Sequence, residues 1–154
     1  MSNEQVLTVP GRYAEVQGIC KFVGAGAAAA GFDADTVFHI ELSCDEAATN
    51  IIEHAYGAEA VGPITASYAV QGNAFTITLR DQGHSFDPSK VPPPPNVATE
   101  VTDVTPEELG NQLQVGGLGL HMIHKLMDEV YFSFDEKQGN TLVMVKRLRE
   151  DDGK

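Results

Sequence analysis

Apolar positions along the chain recur at two different periods, and the changes from one period to the other mark out the elements. Residues 5–9 (Gln5-Val6-Leu7-Thr8-Val9) read as a short opening strand, ended by Pro10-Gly11. From 12 to 30 the apolar positions take helical spacing, with Val16, Ile19, Cys20, Val23 and Ala27 on one face, and the pattern stops at Gly31. A second helix is predicted from about residue 35 to 56, ended by Gly57, with Asp33 or Asp35 as its N-cap. Strands follow at 64–70 and 74–79, joined by a hairpin turn at Gln71-Gly72-Asn73. A helix at about 118–128 leads into strands at 130–134 and 141–146, with a turn at Gln138-Gly139-Asn140.

The segment in between breaks the pattern. Four consecutive prolines, Pro92 to Pro95, precede polar residues and a short helical stretch near 106–109. So long a connection inside a compact domain points to a functional lid, placed at about 84–116. The charged tail, 149–154, is expected to fray. No internal repeat is present.

Length and composition narrow the class. The 154 residues suit a single domain, 1–154, with a real core. Hydrophobic residues make up 42% of the chain, yet no apolar run is long enough to span a bilayer. The Gly/Ala-rich stretch at 25–30 is short and follows no basic region, so it does not read as a signal peptide. Cys20 and Cys44 lack metal-ligand spacing and suit reduced core thiols in a cytoplasmic protein. A net charge of -12 argues against a nucleic-acid surface and against direct nucleic-acid binding. Nucleotide binding stays open, because a site can supply its own Mg2+ and backbone amides.

Three short segments carry candidate chemistry. On a helix, Glu46 and Asn50 lie about 40° apart, on the flank of the packed face where a pocket rim would be, and His54 lies about 40° further round. A carboxylate can deprotonate a hydroxyl, and an amide oxygen suits Mg2+. Solvated surface residues would give the same spacing, and His54 suits a structural role as well as a phosphate contact. Asp81 ends a strand and is followed by Gly83 and by Phe86-Asp87-Pro88. Such an aspartate can accept from the exocyclic amine of adenine, with a glycine beside it to let the base lie flat; a plain turn is the alternative. Gly116-Gly117-Leu118-Gly119-Leu120 opens a helix, where unpaired N–H groups face any anion; a lid hinge is the alternative. It ends in no Gly-Lys-Ser/Thr and joins no first strand and helix of a parallel unit, so it is neither a Walker A nor a Rossmann loop.

Taken together and in this order, the segments resemble the ATPase domain shared by DNA gyrase and bacterial histidine kinases. The runs 46–56 (Glu46-Ala47-Ala48-Thr49-Asn50-Ile51-Ile52-Glu53-His54-Ala55-Tyr56), 116–120 and 126–130 (Leu126-Met127-Asp128-Glu129-Val130) are similar to anti-sigma-factor serine kinases of the RsbW and SpoIIAB type. The resemblance covers about residues 7–147. It implies an α+β two-layer sandwich of the Bergerat type, a mixed and mostly antiparallel sheet with helices on one face. It also implies ATP bound between helices and lid, with Glu46 as catalytic base and Asn50 as the Mg2+ ligand. Asp81 would take the adenine amine beside Gly83, and Gly117, Leu118, Gly119 and Leu120 would hold phosphates. Thr141 matches the threonine that supports the adenine aspartate.

The implied activity is a serine/threonine protein kinase that phosphorylates an anti-anti-sigma protein of the STAS type and sequesters a sigma factor. Family members commonly dimerise, which allows a homodimer. A sensor histidine kinase does not fit: Glu53 stands where those enzymes usually carry Lys or Arg, and nothing upstream has room for a dimerising histidine helix. The alternative is a non-catalytic nucleotide-binding module that switches partners by competition. It draws on a lid without arginine, in which Lys90 is the one basic residue between Phe86 and Val115.

Overall fold

A computed structural model describes residues 3–85 and 123–148. Its element order is β1 (Gln5–Pro10), α1 (Tyr13–Ala30), α2 (Ala34–Asn50), a π-helical continuation of α2 (Ile51–Tyr56), β2 (Pro63–Gln71), β3 (Ala74–Asp81), β4 (Glu129–Asp135) and β5 (Gly139–Arg147). The strands form one sheet in the order β1-β2-β3-β5-β4, and every described pairing is antiparallel. The expected two-layer α+β arrangement is therefore the architecture found.

Strand alternation supplies the sheet's half of the core. Ile64 and Ala66 on β2, Phe75, Ile77 and Leu79 on β3, and Leu142 and Met144 on β5 share one face and are buried. The helices close that face. Val16, Ile19, Cys20, Val23 and Ala27 of α1 and Ile40, Cys44, Ala47 and Ala48 of α2 join the same cluster, at the spacing of a helical stripe. Both thiols are buried and free; burial pushes Cys20 up to about 12 and Cys44 well above its ordinary value, so neither is a reactive thiolate. Among the described residues no helix is long and apolar enough to cross a membrane.

The helix ends follow local rules. Asp33, rather than Asp35, caps α2, its Oδ1 accepting the Thr36 N–H at 2.8 Å. Gly31 ends α1 in the left-handed region at φ 111°, and the Phe32 N–H reaches back to the Ala27 carbonyl. Phe32 then meets Phe75 edge-on, with ring centroids 5.8 Å apart.

Two local expectations are corrected. The second helix does not stay α-helical to residue 56: after Asn50 it widens into a π-helix. The wider turn keeps Ile51, Ile52, Ala55 and Tyr56 all turned inward, which an α-helical period does less well for two adjacent pairs. The last hairpin turns earlier than expected, at 136–138, because Asp135 Oδ1 accepts the N–H groups of Lys137 and Gln138. Gly139 and Asn140 consequently belong to β5. Of the helix expected at 118–128, residues 123–126 are described and helical, and Lys146 Nζ donates to the Leu126 carbonyl at 2.8 Å. That helix ends at residue 126, two residues earlier than expected: 127 and 128 form a bend, where the Asp128 N–H donates to the Val145 carbonyl at 2.8 Å. Its part before residue 123, the lid from residue 86 on, the stretch at 106–109 and the tail lie outside the described residues.

Candidate nucleotide site

Helix α2 brings Glu46 and Asn50 together, and it buries both. Each is only 1% exposed, so the pair lies inside the protein and not on the open rim that the helical wheel suggests. The reason is tertiary: α2 packs along α1, and its residues share one core cluster with α1 and the sheet. Asn50 Nδ2 donates to Glu46 Oε1 at 3.2 Å. With its nitrogen so engaged, the buried Asn50 Oδ1 is left without a protein partner. A neutral oxygen in that state fits a hard cation such as Mg2+. His54 is exposed on the π-helical turn.

The second half of the site is the end of β3. Asp81 is 2% exposed and pairs across the ladder with Asn140 of β5. Its Oδ1 accepts two hydrogen bonds, from the Gly83 N–H at 2.8 Å and from Asn140 Nδ2 at 2.9 Å. Its Oδ2 is buried and has no protein partner. That oxygen fits an amine donor such as the exocyclic group of adenine. Burial pushes the Asp81 carboxyl up, while the bonds from Asn140 and Gly83 pull it partway back.

Three contacts lock the two halves together through the π-helix. The His84 N–H donates to the Ala55 carbonyl at 2.8 Å. The Gln82 N–H donates to the Tyr56 hydroxyl at 2.9 Å, and that hydroxyl donates to the Pro63 carbonyl at 2.5 Å. Gly83 lies against the Ala55 backbone so closely that a Cβ there would stand 2.5 Å from the Ala55 carbonyl carbon and oxygen. Glycine at 83 is thus demanded by the protein's own packing, in addition to any close approach of a base.

Thr141 takes a different place from the one the resemblance gives it. It pairs with Arg80, one position along from Asp81, and so its side chain stands on the opposite face of the sheet. The hydrogen bond to Asp81 comes from Asn140. Gly139 makes this possible: it adopts φ 85°, and a Cβ there would overlap the Asp81 carbonyl oxygen. Asn140 and Tyr56 are the site residues that sequence reasoning missed. The signal available for Asn140 was its place two residues before Leu142, on the core-facing parity of β5. Gly117, Leu118, Gly119 and Leu120 lie outside the described residues.

Residues 9–146 match the family described as a histidine kinase-like ATPase domain. The chain belongs to that family. Among its relatives, the serine-protein kinase RsbW of Bacillus licheniformis is 34% identical over 143 residues, which span 90% of this chain and 84% of that protein. RsbW of Listeria monocytogenes serotype 4a is 32% identical over 127 residues, spanning 80% and 74%. RsbW of Bacillus velezensis is 31% identical over 135 residues, spanning 87% and 79%. Membership of an ATPase family implies ATP as the nucleotide, and the matched span contains Glu46, Asn50, Asp81 and Asn140.

Proposed function

We propose that this protein is an ATP-dependent serine/threonine protein kinase, a single cytoplasmic domain over 1–154, that phosphorylates an anti-anti-sigma protein of the STAS type. With that antagonist phosphorylated, the kinase holds a sigma factor. The observation that carries the reading is the buried Glu46–Asn50 pair, joined at 3.2 Å, in a chain whose relatives bear the name of serine-protein kinases. A module that only switched partners would have no use for a buried carboxylate paired with a cation-ready amide.

In this mechanism Glu46 takes the proton of the acceptor hydroxyl as its oxygen attacks the γ-phosphorus, and ADP leaves. Asn50 presents Oδ1 to Mg2+, which neutralises phosphate charge when bound. Asp81 presents Oδ2 to the adenine amine, and the glycines at 117 and 119, with Leu118 and Leu120, offer backbone amides to the phosphates. Most of the rate gain comes from positioning, so the rigid link between the Asp81 corner and the π-helix matters to the chemistry.

The test is incubation with radiolabelled ATP, Mg2+ and a purified STAS-type protein. Label on a serine or threonine of the partner supports the kinase. Stable complexes with nucleotide and partner but no transferred label would overturn it in favour of the non-catalytic module.

A further inference from the structure

Strand β1 is an edge of the sheet, paired on one side only, with β2. Its other side offers backbone N–H and C=O groups to a further strand. Val6, Thr8 and Pro10 share the face turned away from the helices, and all three are exposed, Val6 by 57%.

A cavity of about 320 Å3 opens at the C-terminal end of this strand. Thr8, Val9 and Pro10 of β1, Pro63 of β2, Arg12 and Ala60 line it. The prolines carry no N–H, and the Thr8 hydroxyl is engaged with that of Thr65 at 3.0 Å. The lining is therefore largely apolar, with Arg12 as its charged group. Its walls are braced by backbone bonds: the Gly11 N–H donates to the Gly62 carbonyl and the Ala60 N–H to the Gly11 carbonyl, both at 2.9 Å. Ala60 is held at φ 64°, the one non-glycine residue with positive φ among those described. Such a backbone costs free energy and persists because its surroundings over-determine it. A cavity fixed in this way is formed before anything enters it, which lowers the cost of binding.

Arg12 has no carboxylate of its own. The chain has 22 acidic against 10 basic side chains, yet Arg12 belongs to neither of the described ion pairs, Lys146–Asp128 and Arg147–Glu129. Nearby Glu59 is taken up by the Tyr13 N–H at 2.8 Å, and the Arg12 side chain caps nothing at the start of α1. The net charge of -12 disfavours a polyanion, so nucleic acid and a run of acids are both poor occupants. One carboxylate beside an apolar side chain matches an apolar cavity with a single cation.

We propose that β1 and the cavity at its end form a docking site for an extended segment of a partner protein. The segment adds as a strand beside β1, seats an apolar side chain in the cavity and sets one carboxylate on Arg12. Main-chain hydrogen bonds supply affinity, and the cavity with Arg12 selects the segment. The site uses none of Glu46, Asn50 and Asp81, so it stands or falls apart from the nucleotide reading.

The experiment is fluorescence anisotropy with labelled eight-residue peptides of alternating valine and threonine, acetylated and amidated. A leucine–glutamate pair is placed at one end or the other, since a strand can add in either direction. Each is compared with its glutamine counterpart on wild type, Arg12→Glu, Arg12→Lys and Thr8→Trp, with thermal melts as the control of folding. One glutamate peptide should bind wild type saturably, and its glutamine counterpart about tenfold more weakly. Arg12→Glu should lose about tenfold or more, Arg12→Lys less, and Thr8→Trp, which fills the cavity, should not bind. Binding by neither peptide, or equal binding by wild type and Arg12→Glu, would overturn the inference. Displacement of the peptide by a single-stranded oligonucleotide would assign the site to a polyanion and overturn it too. So would a wild-type dimer, seen by sedimentation equilibrium, that Thr8→Trp separates into monomers, because a second copy would then cover this edge. Should Thr8→Trp not fold, the two Arg12 variants and the glutamine peptide decide.

Discussion

The Tyr56 hydroxyl accepts the backbone N–H of Gln82, the residue that follows Asp81, at 2.9 Å, and Tyr56 ends the helix that carries Glu46 and Asn50. One side chain thus ties the end of the helix that carries Glu46 and Asn50 to the residue that follows Asp81. Replacing it with phenylalanine leaves the Gln82 N–H and the Pro63 carbonyl without their partner. Tyr56→Phe should cost about 1–3 kcal/mol of stability, read by urea denaturation, and weaken ATP binding as well. Loss of stability with ATP affinity unchanged would mean that the corner is held adequately by the His84–Ala55 bond alone.

Asp81 has a cost that shows in the pH dependence of stability. Its carboxyl is raised in the folded protein, first by burial, with Asn140 and Gly83 opposing. The folded state therefore binds this proton more readily than the unfolded state. Its contribution is fully present below the unfolded value and is lost as pH rises through the folded one. Asp81→Asn buries a neutral amide instead. Compared with wild type from pH 4 to 8, the variant should gain in melting temperature as pH rises, by about 2–4 °C at neutral pH if the difference is about 1 kcal/mol. ATP binding should be abolished at the same time. A difference that does not vary with pH would contradict the desolvation of this carboxylate.

Gly139 and Gly72 both hold positive φ, 85° and 62°, but their surroundings differ. A Cβ at 139 would overlap the Asp81 carbonyl oxygen, whereas one at 72 meets nothing within 4 Å. Gly72→Ala should cost only the left-handed backbone penalty, about 1–2 kcal/mol. Gly139→Ala should cost several times as much, because β5 must move away from β3 at Asp81, and Asn140 moves with it. Equal losses from the two substitutions, measured by chemical denaturation, would show that the close approach at 139 is easily relieved.

Glu46 and Asn50 should separate chemistry from cation binding. Glu46→Gln keeps the partner for Asn50 Nδ2 and removes the base, so ATP binding should persist while phosphate transfer falls by 10²-fold or more, on the order expected for a general base. Asn50→Ala should lose the Mg2+ dependence of ATP affinity. Undiminished transfer by Glu46→Gln would remove Glu46 from the role of base.

Much of this was legible before any coordinates. The stripe at Val16, Ile19, Cys20, Val23 and Ala27, the stop at Gly31 and the hairpin at Gly72 are local signals, carried by residues within a turn or two of one another. Glu46-x-x-x-Asn50 and Asp81-x-Gly83 were legible for the same reason: each is a short motif on one element, and each pair is in fact joined or adjacent in space.

What the tertiary structure decided lies between elements. The motif showed that Glu46 and Asn50 share a face; only the tertiary packing of the helix that carries them determined that both are buried. Asn140 and Asp81 are 59 residues apart, and the choice of Asn140 over Thr141 depends on strand register, where a shift of one residue reverses the face. Gly83 looked like an accommodation to a ligand, and its tightest neighbour proved to be the Ala55 backbone. Periodicity records which face a residue takes on its own element. Which partner it meets there is set by pairings far apart in the chain, and no local pattern encodes them.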